Sequence, residues 1–374
     1  MTDNANRALL PAGLRDLLPP HADHEAAVVA QLMRDFAAQG YERVKPPLIE
    51  FEESLLSGSG KAMAKQTFRV MDPVSQRMMG LRSDMTLQTA RIATTRLVGQ
   101  PRPLRLSYAG QVLRVKGSQL RPERQFGQAG IELIGVDNAA ADAEVIALAV
   151  RSLRDLGIDR ISVDLAMPTL VGEIVAELGG GEDLKEAIDY RDVAAALAAK
   201  SGPAKLLARL IEAVGPAGEA LARLKALDLP PKAALLRERL AQVLALLERA
   251  APDLKLTIDP VESRGFDYQI GLAFTLFARG HSGEIGRGGR YRANGESAVG
   301  ATLFMDTVLE AAPEQPSPRR LFVPLGTDAA QTERLRAEGW VTLAGLSPVE
   351  DPIAEARRMG CSHALVDGVL AAAN

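Results

Sequence analysis

Cysteine is almost missing from this chain of 374 residues: Cys361 stands alone, which excludes an intrachain disulfide and a zinc site built on thiolates. Histidine is nearly as scarce. With only His21, His24, His281 and His363, an all-protein metal site is not expected. No stretch approaches the ~18 uncharged apolar residues that a membrane-spanning helix needs. Residues 1–20 lack a basic segment leading into an apolar core, so the expected location is the cytoplasm, with no membrane partner. Neither sign of charge dominates: 44 Lys and Arg face 47 Asp and Glu, a net charge of −3. A dedicated tRNA-binding chain usually shows a basic surface, so tRNA is not the expected partner. What is present is an ordinary globular composition, 47% hydrophobic and 24% charged, long enough for two or three domains.

The most informative stretch spans residues 104–135. It reads as a strand, a loop punctuated by Gly117-Ser118 and Pro122, and a returning strand. Tyr108, Val112 and Leu113 supply β-prone bulk going out. Phe126, Ile131, Leu133 and Ile134 do so coming back, on a frame that also holds Gln128 and Glu132. Arg114, Arg121 and Arg124 gather fixed positive charge. A planar guanidinium suits a carboxylate or a phosphate, since two parallel N–H groups meet two oxygens. The bland alternative is a hairpin with a solvated basic loop.

Resemblance decides between these. The hairpin resembles motif 2 of class II aminoacyl-tRNA synthetases, and histidyl-tRNA synthetase in particular. There an arginine closing the first strand, Arg114 here, contacts phosphate. The return F-x-Q-x-G-x-E, here Phe126, Gln128, Gly130 and Glu132, lines a histidine pocket. The F-R-x-E core of that family is Leu113-Arg114-Val115-Lys116 in this chain, with a lysine in place of the acid.

Other segments fit in order. Residues 11–20 resemble the family's P-x-G-x-R-D-x-x-P opening. An amphipathic helix over 24–38 and an extended segment over 41–50, ending near Pro46-Pro47, are similar to motif 1, the dimer interface of class II enzymes. A hairpin is expected from 68–72 and 76–81. Then Leu81-Arg-Ser-Asp-Met-Thr86 opens a helix and matches L-R-P-E-x-T, whose acid binds the α-amino group of histidine. Asp84 at a helix start reads equally as a cap. Helices over 140–156 and a strand over 161–165 follow, and then an Ala/Leu-rich helical insertion cut by Pro203, Pro216 and Pro230-Pro231. Glu262-Ser-Arg-Gly-Phe-Asp-Tyr268 is similar to the histidine-specific R-G-x-D-Y-Y, with Arg264 on the ligand carboxylate and Tyr268 at the imidazole. Gly286-Arg-Gly-Gly-Arg-Tyr291 matches G-G-R-Y. Residues 298–311 read as an apolar helix in the place of motif 3, where Thr307 replaces the arginine that grips ATP. A neutral hydroxyl cannot replace a fixed charge against triphosphate.

The expected fold class is therefore α+β: a class II synthetase-like antiparallel sheet flanked by helices, in two parts (1–166 and 253–312). A helical insertion (167–252) separates them, and a small α/β domain (319–374), too short for an anticodon-binding domain, closes the chain. Partial retention of the histidine pocket with loss of the motif 3 arginine resembles the regulatory subunit of ATP phosphoribosyltransferase. That resemblance implies no catalytic residue, no cofactor and no metal. It implies a histidine site formed by Asp84, Thr86, Arg114, Gln128, Glu132, Arg264 and Tyr268. It also implies feedback by L-histidine, self-dimerisation, and assembly with a short-form catalytic subunit into a hetero-octamer. An active histidyl-tRNA synthetase and a class II-like ligase remain as alternatives.

Overall fold

The computed structural model describes residues 9–56, 63–117, 122–180, 182–200, 202–266, 268–314 and 316–373. The chain forms two compact units, Met1–Pro313 and Glu314–Asn374. Arg121 and Asp267, both within the motifs above, lie outside the described residues.

Helix α1 (His21–Ala38) buries Val28, Leu32, Met33 and Phe36, spaced by one helical turn, and ends before Gly40 at φ 80°. Strands β1 (Glu42–Arg43) and β2 (Ile49–Phe51) flank Pro46-Pro47, which cannot donate to a ladder. A short helix α2 (Glu52–Leu55) precedes the hairpin of β3 (Arg69–Met71) and β4 (Met78–Leu81), and β4 also pairs with β2. Helix α3 (Thr86–Thr95) leads to the long hairpin, β5 (Leu104–Leu113) and β6 (Gln125–Ile134). Helix α4 (Ala139–Asp155), capped by Asn138, precedes β7 (Ile161–Ala166).

The insertion is helical: α5 (Leu170–Leu178), α6 (Lys185–Asp189), α7 (Val193–Ala198), α8 (Ala204–Glu212), a two-residue strand β8 (Gly215–Pro216), α9 (Ala217–Lys225) and α10 (Pro231–Ala250). Pro203, Pro216 and Pro230 stand at the N-caps of α8, α9 and α10, where a missing N–H costs nothing. Strands β9 (Lys255–Asp259), β10 (Ala273–Ala278), β11 (Gly286–Ala293) and β12 (Glu296–Phe304) then complete the large sheet, followed by α11 (Met305–Ala311).

Residues 298–304, expected to be helical, are strand. Their run Ala298 to Phe304 is buried on both faces in the middle of the sheet, and a short, continuous apolar run does not distinguish such a strand from a helix. The helix begins only at Met305. The nine-stranded order is β1-β5-β6-β12-β11-β10-β7-β9-β8, antiparallel through the centre and parallel at β1–β5 and β7–β9. Ala129, Ile131 and Leu133 on one face of β6 join a single apolar core with Val28 and Leu32 of α1, and with Leu207, Leu240 and Val243 of the insertion. The insertion is therefore packed into the same core as the sheet. A buried ionic clamp reinforces this. Asp142 of α4 accepts from Arg290 of β11 at 2.9 Å and from Arg239 of α10 at 3.1 Å.

The second unit holds β13 (Arg320–Val323), α12 (Ala329–Ala337), β14 (Val341–Ala344), α13 (Pro352–Arg358), β15 (His363–Val366) and β16 (Val369–Ala372), in sheet order β14-β13-β15-β16. Strand β16 was not expected. It returns antiparallel through Asp367-Gly368, both at positive φ, the preferred chemistry of a tight hairpin. No helix among the described residues is long and apolar enough to cross a membrane.

Candidate functional site

Side chains alternate along a strand, so Gln128, Gly130 and Glu132 leave β6 on the face opposite Ala129, Ile131 and Leu133. Register extends this face across four strands. Tyr108, Gly130, Thr302 and Arg287 form one row, and Leu106, Glu132, Gly300 and Gly289 form the next. The glycines hollow the face. A Cβ on Gly300 would overlap the Glu132 carboxylate, so only glycine lets that acid lie across the sheet. The result is a cavity of about 150 Å³, lined among others by Asp84, Thr86, Arg114, Glu132, Tyr268 and Tyr291.

Hydroxyls organise its floor. Tyr291 donates to Glu132 at 2.8 Å, and Tyr108 to the other carboxylate oxygen at 3.3 Å. The Tyr108 hydroxyl also meets Thr302 at 2.8 Å and Thr86 at 3.1 Å. Glu132 is fully buried. Desolvation by burial pushes its carboxyl up to about 8, outweighing the hydroxyls that favour the ionised form, while Asp84 adds to the rise. Burial also raises Tyr108, Tyr268 and Tyr291, which stay protonated donors. The Tyr268 and Tyr291 rings meet edge to face, centroids 6.0 Å apart.

Asp84 does both things its position allowed. One carboxylate oxygen accepts the Thr86 N–H at 2.7 Å, at the start of α3, and the side chain lines the cavity. Gln128 sits beneath it, accepting from the Met85 N–H at 3.1 Å and donating to Asp84 at 3.3 Å. Arg114 lines the cavity with its guanidinium 5.0 Å from the Phe126 ring centre.

Five of the seven expected residues thus line one cavity, and Gln128 braces them. Arg264 does not reach it. Its side chain is 67% exposed and holds Glu262, which Arg191 also grips from the insertion. Nor does Arg264 touch Glu132. Arg124 is likewise turned away, donating to the Arg114 and Ala12 carbonyls. Lys116 is exposed.

Sequence reading passed over Tyr108, Thr302, Glu284, Arg287 and the Glu132 contact of Tyr291. One signal was available: counting back by two from Tyr291 puts Gly289 and Arg287 on its face and Arg290 on the other. In the place of motif 3, the Thr307 hydroxyl lies 2.9 Å from the Glu284 carbonyl and 3.2 Å from that of Phe304, buried and neutral.

Residues 13–308 match the histidyl-tRNA synthetase family. The chain is 61% identical over 376 residues to the ATP phosphoribosyltransferase regulatory subunit of Paramagnetospirillum magneticum, covering 99% of each chain. It is 60% identical to that of Rhodospirillum centenum, covering 98% of each. Among solved structures, an ATP phosphoribosyltransferase regulatory subunit/histidyl-tRNA synthetase from Bacillus halodurans is similar at TM-score 0.81 and 22% identity, covering 94% of this chain and 96% of that one. A histidyl-tRNA synthetase from Nostoc sp. reaches 0.75 at 18% identity, covering 97% and 91%. At these identities the two structures speak for the fold alone.

Proposed function

Because the chain belongs to the family of ATP phosphoribosyltransferase regulatory subunits, we propose that it serves the first step of histidine biosynthesis as a regulator, with the sheet cavity as its L-histidine site. One observation carries the reading. The cavity sets two acids, Asp84 and Glu132, beside tyrosine rings and fixed guanidinia, a surface for a small aromatic zwitterion, while the motif 3 position offers only Thr307. Asp84 and Glu132 receive the α-ammonium group, Thr86 and Gln128 orient the acids, and Tyr268 packs against the imidazole. Arg114 supplies positive charge at the rim.

Regulation then follows from linkage. Histidine that binds one state of the assembly better than another shifts the catalytic partner by that difference, typically ~1–3 kcal/mol. The partner is the short-form glycosyltransferase subunit, the assembly a hetero-octamer built on self-dimers of this chain, and tRNA takes no part. The test is reconstitution. The catalytic subunit should gain activity when this chain is added, and histidine should suppress the mixture. Calorimetry should show histidine binding to the full chain, lost in Glu132→Ala. Histidine-dependent pyrophosphate exchange by the purified chain would instead favour an active synthetase.

A further inference from the structure

Resting on the reading of the cavity as a histidine site, we infer that Arg287, rather than Arg264, is the anchor for the ligand carboxylate, and that Glu284 occupies the guanidinium until the ligand arrives. The α-ammonium of an amino acid cannot be held without its carboxylate lying within a few ångströms, so an acid-lined pocket needs a cation close by. Arg264 cannot serve, being turned to solvent and paired with Glu262. Arg287 lines the cavity, in the same row of the sheet as Thr302 and on the same strand face as Tyr291.

The guanidinium is displayed in a fixed orientation. Nε donates to Glu284 at 3.0 Å and Nη2 donates to both its carboxylate oxygens, at 2.7 and 2.6 Å. Nη1 donates to the Gly265 carbonyl at 2.7 Å. Gly265 has φ 77°, and a Cβ there would fall 2.7 Å from Nη1, so the loop between β9 and β10 is shaped around this side chain. The Phe266 ring centre lies 5.7 Å from its Cζ. The fork therefore already grips a carboxylate, and Glu284 itself lines the cavity. Glu284 is the internal counterpart of the group the ligand brings. A free carboxylate entering beside the Glu132 end of the cavity competes for the same two-pronged contact, and guanidinium geometry favours whichever acid meets it in plane.

The full-length chain is titrated with L-histidine and, separately, with histamine, which keeps the ring and amine but lacks the carboxylate. Arg287→Ala should weaken L-histidine about tenfold or more, since a carboxylate loses a charge-assisted pair. Histamine affinity should stay within about twofold, because the residue removed does not touch it. Arg287→Lys, which keeps the charge without the fork, should fall between; Arg264→Ala should match wild type; and Glu284→Gln, which releases the fork, should bind L-histidine more tightly. Thermal melting alongside shows that each variant is folded. Wild type binding L-histidine with Arg287→Ala and Arg287→Lys unchanged overturns the inference and leaves the histidine site standing. A large loss in Arg264→Ala overturns it equally. No binding of L-histidine by wild type removes the histidine site, and this inference with it.

Discussion

The Tyr291 hydroxyl donates a 2.8 Å hydrogen bond to Glu132, and both side chains are buried, so the acid meets phenols and a second carboxylate rather than water. Its carboxyl is pushed up to about 8 from an ordinary 4.5, chiefly by desolvation. At pH 7 the empty site therefore holds a mostly neutral acid. An ammonium group beside it would favour the ionised form, so histidine at the proposed site should expel a proton. Between pH 7 and 8, above the titration of free imidazole, histidine affinity should rise with pH. Calorimetry in two buffers of different ionisation enthalpy should report the proton released, and Glu132→Gln should abolish it. Stability runs the other way. Below pH 4.5 the acid is protonated in both states and carries no charge into the fold. As pH climbs to about 8 the unfolded chain ionises and the folded one resists, so this group's contribution to stability is progressively lost. Denaturant unfolding should thus find Glu132→Gln more stable than wild type at pH 8, by on the order of a few kcal/mol, with the gap closing toward pH 5.

Asp142 is 1% exposed and accepts from two guanidinia, one on the sheet and one on the insertion. Asp142→Ala would leave Arg290, itself buried, with only the longer 3.5 Å contact to the half-exposed Asp137. Denaturant unfolding should show a loss of ~3–5 kcal/mol. The exposed pair of Arg154 and Asp253 is the control: Asp253→Ala should change stability by no more than ~0.5 kcal/mol.

Thr307 is buried with its hydroxyl between two backbone carbonyls, so restoring the arginine of motif 3 does not restore its chemistry. Thr307→Arg should give no histidine-dependent pyrophosphate exchange. It should cost ~1–3 kcal/mol from overpacking and a buried charge. Pyrophosphate exchange appearing in a folded Thr307→Arg would mean that a single residue had silenced the site.

Helix α1 turns Val28, Leu32 and Phe36 into the core while Ala22, Ala26 and Val29 line a shallow groove with Ala109 and Gly110. That groove lies on the segment expected to dimerise. Light scattering of the full chain at micromolar concentration should give twice 39.9 kDa, and Ala26→Arg combined with Val29→Arg should return it to the monomer. A wild-type monomer would dismiss the self-dimer.

Much of this architecture was legible in the chain. The hairpin of β5 and β6, the amphipathic helix leading to Gly40 with Leu32, Met33 and Phe36 inward, and the insertion cut at Pro203, Pro216 and Pro230 all rest on local signals: period, turn residues and proline's missing donor. Two local signals were passed over. Asp367-Gly368 announced β16, and the alternation back from Tyr291 announced Arg287.

The rest was not local. Residues 298–304 are apolar without interruption, and only their pairing between β6 and β11 makes them strand rather than helix. Arg264, Arg287 and Arg290 are alike in sequence, each beside a glycine and within a motif. Tertiary structure alone sends one to Glu262 at the surface, one into the cavity beside Glu284, and one under the sheet to Asp142. The sequence by itself determined the elements that carry a local period or a turn signal, and the motifs in which acids, guanidinia and tyrosines stand. Which guanidinium faces the acids was decided by register and by the nearest carboxylate. An arginine's destination depends on the partners that folding brings within reach: Arg264 and Arg287 pair with carboxylates two and three residues away, Arg290 with one 148 residues away.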